Sequence, residues 1–298
     1  MEWTTDRRIG MQTGILFIIG LVVLDFVLIG VIGTQPISFT TFISALTILA
    51  SLPLITLIVY QLIGLNRSGY SLDRNTLTIA WGPIRQIVPT ASIERIMLGY
   101  EIQGRIQKFR GWRWPGLAVG QAEVPEAGLT LFYASAPRQQ QLVIITPMLS
   151  YVISPTDIPG FIEAIKARYE LGPTQNTPQT SIHPAIFDWA LWRDRVAIWF
   201  EALAFVLCTA LFAFICIRYP NLSRSLPLHY ALTGEADRFG SPAQSFILPV
   251  IGLIALLGNT LVGGLIYRRE RMASYVLWGG AILVQVLLWI SAINLLRA

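Results

Sequence analysis

The sequence predicts an α+β membrane protein, in which five transmembrane helices carry a soluble domain inserted after the second helix. Hydrophobic residues make up 54% of the 298 residues and charged residues only 13%, well below the roughly 25% charged residues of ordinary soluble domains. Apolar windows of about 20 residues, long enough to cross a bilayer, occur five times. Between the second and third windows the pattern changes to short strands followed by one amphipathic helix.

The five apolar windows predict five membrane-spanning helices, at about 13–33, 42–64, 196–217, 246–267 and 273–296. Arg7 and Arg8 precede the first window, as they would in a secretory signal. Its apolar run is longer than a signal peptide needs, and no small-x-small cleavage site follows it. We therefore predict that the first window is retained as a span.

The basic residues predict the orientation of the chain in the cell membrane. With five spans, three groups of basic residues fall on the same side of the membrane. They are Arg7 with Arg8, the basic residues of 67–195, and the cluster Arg268, Arg269 and Arg271. Because Arg and Lys concentrate in cytoplasmic loops, the N-terminus and the inserted domain are predicted to be cytoplasmic. The net charge of +5 reflects this topology. No basic run indicates a nucleic-acid partner, so the lipid bilayer is the first expected partner.

The segment from residue 66 to residue 170 has the patterns of a small β domain. TLTIAW, IRQIV, GLTLFYAS, QLVIITP and SYVISP read as strands separated by turn residues such as Gly82-Pro83. Asp157 or Thr156 is placed to cap a final helix, in which Phe161 and Ile165 recur at helical spacing. The predicted organisation is two spans in 1–65, this domain in 66–170, a linker with an interfacial segment in 171–195, and three spans in 196–298.

Seven or so short strands followed by one helix is the order of pleckstrin-homology (PH) domains. TLTIAWGPIRQIVPTASIERI and VIITPMLSYVISPTDIPGFIEAIKAR resemble bacterial PH-like domains of membrane proteins, above all in the strand ending ISP before a helix. The resemblance implies a cytoplasmic PH-like β-barrel closed by a C-terminal helix. It does not imply phosphoinositide binding, because the first turn, WGPIRQ, holds Arg85 as its single basic residue.

A basic and aromatic segment, GRIQKFRGWRWPG, is the most interaction-like part of this domain. Cations beside indole rings suit the headgroup zone of a membrane, where they meet anionic lipid. The alternative is a long connection between strands whose tryptophans pack on the sheet. The candidate residues for contact with lipid or another ligand are Arg105, Lys108, Arg110, Trp112, Arg113 and Trp114.

Asp25 lies in the middle of the first predicted span. A carboxylate at that depth is costly, and intramembrane ionisable residues often mark ion or proton pathways. One interpretation is therefore a relay in a small transporter or channel. The other is a neutral or paired residue that locks one helix against another.

A polar stretch between the third and fourth windows, RSLPLHYALTGEADRFGS, is predicted to lie outside the cytoplasm. It resembles the LPxHxxxxGxxDRxG signature of a group of bacterial membrane proteins, a module also found in proteins of toxin-immunity and signalling type. The positions that match are Leu226, Pro227, His229, Gly234, Asp237, Arg238 and Gly240. The stretch is interpreted either as a re-entrant or capping element of the helix bundle or as a site that recognises an external ligand or peptide.

The sequence offers no recognisable catalytic site. Patterns such as GxSxG, HExxH, CxxC and GxGxxG do not occur in it. His229 with Glu235 and Asp237 provides too few well-spaced ligands for a zinc site, and neither a metal nor a cofactor is expected. The predicted function is a non-catalytic scaffold, sensor or regulator with a possible protein or peptide partner. The rivals are a small transporter or channel using Asp25 and a toxin-immunity or signalling protein.

Overall fold

A computed structural model describes residues 1–175, 177–223, 225–230 and 236–297. The chain divides into two compact units. The first contains Met1–Val23 and Ser51–Ala185, and the second contains Leu24–Ala50 and Ile186–Ala298. The first unit holds the predicted PH-like domain together with the adjoining parts of the first two long helices.

Five helices in the described ranges are long and apolar enough to cross a membrane, which confirms the prediction of a multi-pass membrane protein. They are α1 (Arg8–Thr34), α2 (Phe39–Asn66), α4 (Arg195–Arg218), α5 (Ile247–Ile266) and α6 (Arg271–Arg297), while α3 (Ile158–Leu171) belongs to the soluble domain. Large apolar side chains of α1 remain exposed, Leu16 at 68% and Phe26 at 71%. Surface of this kind requires a lipid environment.

The soluble domain contains two sheets. The five-stranded sheet is antiparallel and runs in the order β1 (Glu2–Thr4), β2 (Gly69–Leu72), β3 (Thr76–Trp81), β4 (Ile84–Pro89) and β11 (Thr180–Ile182). The six-stranded sheet runs in the order β5 (Arg95–Leu98), β9 (Leu142–Ile145), β10 (Ser150–Ile153), β8 (Gly128–Ala134), β7 (Leu117–Val124) and β6 (Gln107–Trp114). In that sheet β10 and β8 pair in parallel.

The predicted closed barrel is not supported, because neither sheet returns to its first strand. The two sheets instead share one apolar core with α3. Leu77 and Ile79 from the first sheet, Leu142 and Ile144 from the second, and Phe161 from α3 are all fully buried in it. The resulting structure is a mixed domain of two sheets and one helix, and Asp157 caps that helix by accepting a hydrogen bond from the Gly160 amide at 3.1 Å.

Two strands of the five-stranded sheet lie outside the predicted range 66–170. β1 pairs with β2, placing Trp3 opposite Tyr70, and β11 pairs with β4, placing Ser181 opposite Gln86. The physical reason is that β2 and β4 would otherwise present unpaired edges, and an added strand satisfies their backbone groups. Three-residue strands have too little periodicity to be recognised from the sequence.

The six-stranded sheet also has a covered outer face. Because side chains alternate along a strand, Tyr133 faces the shared core while Phe132 and Ala134 face the other side. Phe132 packs in a second apolar cluster with Ile102, which lies in the connection between β5 and β6. The connection between β5 and β6 therefore folds over the sheet.

The helices α4, α5 and α6 pack on one another through small and polar residues. Gln285 is fully buried and donates through Nε2 to the Gly252 carbonyl at 2.8 Å. Gly263 faces the indole of Trp278, so closely that a Cβ at Gly263 would clash with the ring. Such contacts are typical of helices that associate within a membrane.

Candidate membrane-contact site

The hairpin of β6 and β7 carries the basic and aromatic segment and ends in a tight turn at Pro115-Gly116. Trp114 pairs with Leu117 across the turn. Gly116 has a φ of +82°, a backbone conformation that side chains other than glycine rarely adopt. This turn brings the end of β6 to the first turns of α1.

The contact between the hairpin and α1 is close and directional. Trp114 donates through Nε1 to the Gly10 carbonyl at 3.2 Å, and its ring lies edge-on to Phe17 with centroids 6.4 Å apart. Gly10 and Gly116 touch through their backbones, and a Cβ on either would overlap the other. Since α1 is long and apolar enough to span a bilayer, the hairpin tip packs against the start of a candidate membrane span.

A second hairpin tip meets the same end of this pair of helices, on α2 instead of α1. Gly82, in the turn between β3 and β4, lies so close to Gly64 near the end of α2 that a Cβ on it would sit 3.1 Å from the Gly64 Cα. Gly82 has a φ of +56°. The domain is thus held at two points against membrane helices, one on each helix.

The cations of the basic and aromatic segment differ in whether they are neutralised; Arg105 lies just before β6 and the others lie within it. Lys108 forms an ion pair with Glu123 at 3.0 Å. Arg105, Arg110 and Arg113 are exposed, and in the described part of the chain none of them forms an ion pair. Arg113 lies over the Phe109 ring at 6.0 Å. Three guanidinium groups therefore remain available for an external anion.

Trp112 and Trp114 are both half-buried and pack against the shared core, with ring centroids 6.4 Å apart in a T-shaped arrangement. This packing corresponds to the alternative in which the tryptophans fill the domain. Trp114 also contacts α1, so its ring packs on the core and on that helix together.

A cavity of about 590 Å³ opens beside the hairpin, on the outer face of the six-stranded sheet. Its apolar lining includes Ile9 from α1, Phe109, Trp114 and Phe132. Its lining residues include Arg113 and Arg138 and no carboxylate. Sequence patterns alone do not reveal this cavity, because its shape depends on how the connection between β5 and β6 folds.

Arg138 shapes the cavity by holding that connection. Its guanidinium donates to the carbonyls of Gly99 at 2.9 Å, of Ile102, and of Gly104 at 3.4 Å. These acceptors are uncharged, so they satisfy the donors of Arg138 and leave its positive charge in place.

A separate cluster at the ends of α4, α5 and α6 was also missed by sequence analysis. Asp194 caps α4, accepting from the Val196 amide at 3.0 Å and the Ala197 amide at 3.3 Å. Its other oxygen accepts from the Tyr267 hydroxyl at 2.5 Å and from the Tyr275 hydroxyl. An aspartate directly before an apolar helix was a signal for the cap, whereas the tyrosine partners had none.

The hydrogen bonds of this cluster control its ionisation. Those from Tyr267 and Tyr275 lower the pKa of Asp194 to about 2, and Arg271 adds an ion pair at 3.7 Å. Desolvation, followed by its bond to Asp194, raises the pKa of Tyr267. Asp194 is therefore a stable anion that joins the three helices at one membrane face.

Asp25 lies about two-thirds of the way along α1 and is half-buried. It belongs to the second unit, whereas the β6–β7 hairpin belongs to the first. The relay and the packing interpretations of Asp25 both remain predictions.

The predicted outer stretch contains a two-stranded antiparallel hairpin, β12 (Leu226–Tyr230) and β13 (Ala236–Gly240). Its register places His229 opposite Arg238 and Pro227 opposite Phe239, with irregularities on either side of His229. Asp237 lies within β13, and Gly234 lies outside the described residues. Leu226 is buried at 3% exposure. Strand pairing of this stretch was not predicted, since its turn and loop residues dominate the pattern.

Two family models match separate parts of the chain. The family model described as bacterial PH domain matches residues 68–169. A second model, described as a domain of unknown function (DUF1648), matches residues 206–253, which include the β12–β13 hairpin. No curated protein matches the chain. No solved structure matches it either.

Proposed function

We propose that this protein is a non-catalytic regulator or scaffold of the cell membrane, whose PH-like domain contacts anionic lipid headgroups through the β6–β7 hairpin. The observation that carries the proposal is the bond from Trp114 to the Gly10 carbonyl, because it ties the basic strand to a membrane helix. The domain would be cytoplasmic, as expected from the positions of the basic residues.

Charge supports a lipid partner for the hairpin. Arg105, Arg110 and Arg113 have no carboxylate partner in the described structure, and β6 is an edge strand. A basic residue at an anionic membrane surface contributes about 1 kcal/mol of attraction. The same edge and its cations leave room for a protein or peptide partner bound at the membrane.

Hydrogen exchange tests the lipid contact on the complete protein. Because β6 is an edge strand, its outward amides exchange readily unless something covers them. We expect slower exchange over 107–114 in phosphatidylglycerol nanodiscs than in phosphatidylcholine nanodiscs. Arg110→Glu should reduce this protection by about fivefold or more, the equivalent of 1 kcal/mol for each charge.

Lys166→Glu is the matched control, since Lys166 is an exposed cation of α3 outside the hairpin and reverses the same charge. It should leave the protection over 107–114 unchanged. Equal exchange in the two lipids, or equal effects of both variants, would show that the hairpin does not contact anionic headgroups.

A transport function is the second candidate, favoured by an ionisable residue within a membrane-spanning helix, Asp25. If Asp25 carries protons or ions, Asp25→Asn abolishes flux in proteoliposomes while the unfolding temperature of the protein stays the same. If Asp25 only packs helices, the variant changes stability or assembly and no flux depends on it. Flux that persists in Asp25→Asn would eliminate this residue as the coupling group.

A further inference from the structure

We propose that the cavity beside the β6–β7 hairpin binds one anionic phospholipid, with its phosphate between Arg113 and Arg138 and its upper acyl carbons against Phe109 and Phe132. The inference rests on the proposed contact of the hairpin with lipid and makes it specific. It replaces a diffuse attraction between a basic strand and a charged surface by a site of defined shape that holds a single molecule.

The dimensions and lining of the cavity suit such a ligand. Its volume of about 590 Å³ lies within the range of about 300–1,000 Å³ for small-molecule sites, which are mostly apolar with a few polar groups. Phe109 and Phe132 contact each other edge-on, with centroids 5.4 Å apart, and form the apolar wall. A ligand that fills this space therefore needs an apolar part as well as an anionic one.

The positive charge of the cavity lining favours an anionic headgroup. The lining includes Arg113 and Arg138 and no Asp or Glu. Arg138 already donates to backbone carbonyls, so it supplies positive charge and a fixed wall. Arg113 is exposed and has no hydrogen bond to a described residue, so its planar guanidinium is free to bind a phosphate through two parallel hydrogen bonds.

The position of the cavity gives a lipid a direct route into it. Ile9, in the first turn of α1, and Trp114, which bonds to that helix, both line the cavity. A phospholipid can therefore place its headgroup and upper chain in the cavity while its remaining chain stays in the bilayer. Inorganic phosphate shares the anionic chemistry but cannot cover the aromatic wall.

Native mass spectrometry of the full-length protein, released from detergent, tests the site by counting bound lipids. With added phosphatidylglycerol we expect one molecule retained per chain, at least about tenfold more tightly than phosphatidylcholine, the scale of one charge-assisted hydrogen bond. Arg113→Gln should lower the affinity for phosphatidylglycerol by about the same factor. Inorganic phosphate in place of lipid should not be retained.

Ala136→Phe provides a second variant, because Ala136 lines the cavity from a connection outside the strands and a larger side chain there occupies the lipid's volume. It should abolish the retained lipid while thermal unfolding remains cooperative. Lys166→Gln is the control, since Lys166 is an exposed cation of α3 and is not among the lining residues, and it should keep the bound lipid.

The outcomes separate this inference from the proposed function. Equal retention of both lipids, retention that survives Ala136→Phe, or retention of inorganic phosphate alone would overturn the lipid site. If exchange over 107–114 still responds to phosphatidylglycerol, the proposed surface contact survives that failure. Conversely, a retained lipid with no lipid-dependent protection in hydrogen exchange would support the cavity and remove the wider surface contact.

Discussion

Gly10→Ala is expected to lower the free energy of unfolding of the detergent-solubilised protein by about 1–3 kcal/mol, the usual cost of forcing extra volume into a packed site. The added methyl would overlap the Gly116 carbonyl and come within 2.6 Å of Leu65 Cδ2. The leucine can rotate away, but the carbonyl belongs to a constrained turn. The hairpin must therefore separate from α1, which also stretches the hydrogen bond from Trp114.

Gly20→Ala is the matched control for this prediction, because Gly20 lies in the same helix and, apart from its chain neighbours and the backbone of its own helix, no described atom lies within 4 Å of its would-be Cβ. Alanine there should be neutral or stabilising, since it favours the helix by up to about 1 kcal/mol. Thermal or denaturant unfolding in one detergent measures both variants. If Gly10→Ala is as stable as Gly20→Ala, the hairpin does not pack on α1.

Asp194→Asn is expected to destabilise the packing of α4 on α5 and α6 by about 2 kcal/mol or more, because hydrogen bonds to a charged group contribute about 1.5–3 kcal/mol each. The Asp194 side chain is only 7% exposed. Asparagine keeps the helix cap but has a single acceptor oxygen and no charge. It therefore loses the anion to which both tyrosine hydroxyls donate and with which Arg271 forms an ion pair.

Asp157→Asn is the matched control for Asp194→Asn, because it makes the same substitution at a helix cap for which the structure describes no tyrosine hydrogen bond. Asp157 caps α3 through the Gly160 amide and, among the side chains that the structure describes, no tyrosine donates to it as Tyr267 and Tyr275 do to Asp194. Because asparagine caps helices about as well as aspartate, this variant should be nearly neutral in the same unfolding experiment. Equal effects at the two positions would mean that the tyrosine hydrogen bonds of Asp194 add no stability.

Acid titration gives an independent readout of the same cluster. The pKa of Asp194 is lowered to about 2 in the folded protein from an ordinary value of 3.8. The stability it contributes is therefore fully present above its unfolded pKa and is lost as the pH falls towards its folded pKa. Wild-type protein should lose stability in this acidic window more steeply than Asp194→Asn does.

The sequence predicts the fold best where a hydrophobic pattern extends over many residues. Five apolar windows and the alternating strands of TLTIAW or GLTLFYAS carry enough repeats to be recognised, and the cap at Asp157 has a local signature. The contacts that assemble the candidate site are not periodic. Gly10 and Gly116 are far apart in the chain, and nothing local in either distinguishes a backbone contact from an ordinary glycine.

The candidate residues of β6 also divide into what the sequence predicts and what only the folded structure shows. Their composition identified a basic and aromatic strand, but not that Glu123 neutralises Lys108 while Arg110 and Arg113 remain without an acidic partner among the described residues. That distinction follows from the register of β6 with β7, which includes an irregularity between Gln107 and Arg110. A register of this kind is set by the folded sheet, so composition alone does not reveal which cations are available.

The pairing of β1 with β2 has a consequence for how the protein is made. Thr4 pairs with Gly69, and the Thr156 amide bonds to the Thr4 carbonyl at 3.1 Å, so the two long helices α1 and α2 interrupt a sheet that begins before them. Contacts this distant in sequence form late and slowly. During synthesis, the partner strand β2 emerges only after both helices have been made, so the soluble domain cannot be completed before α1 and α2 exist.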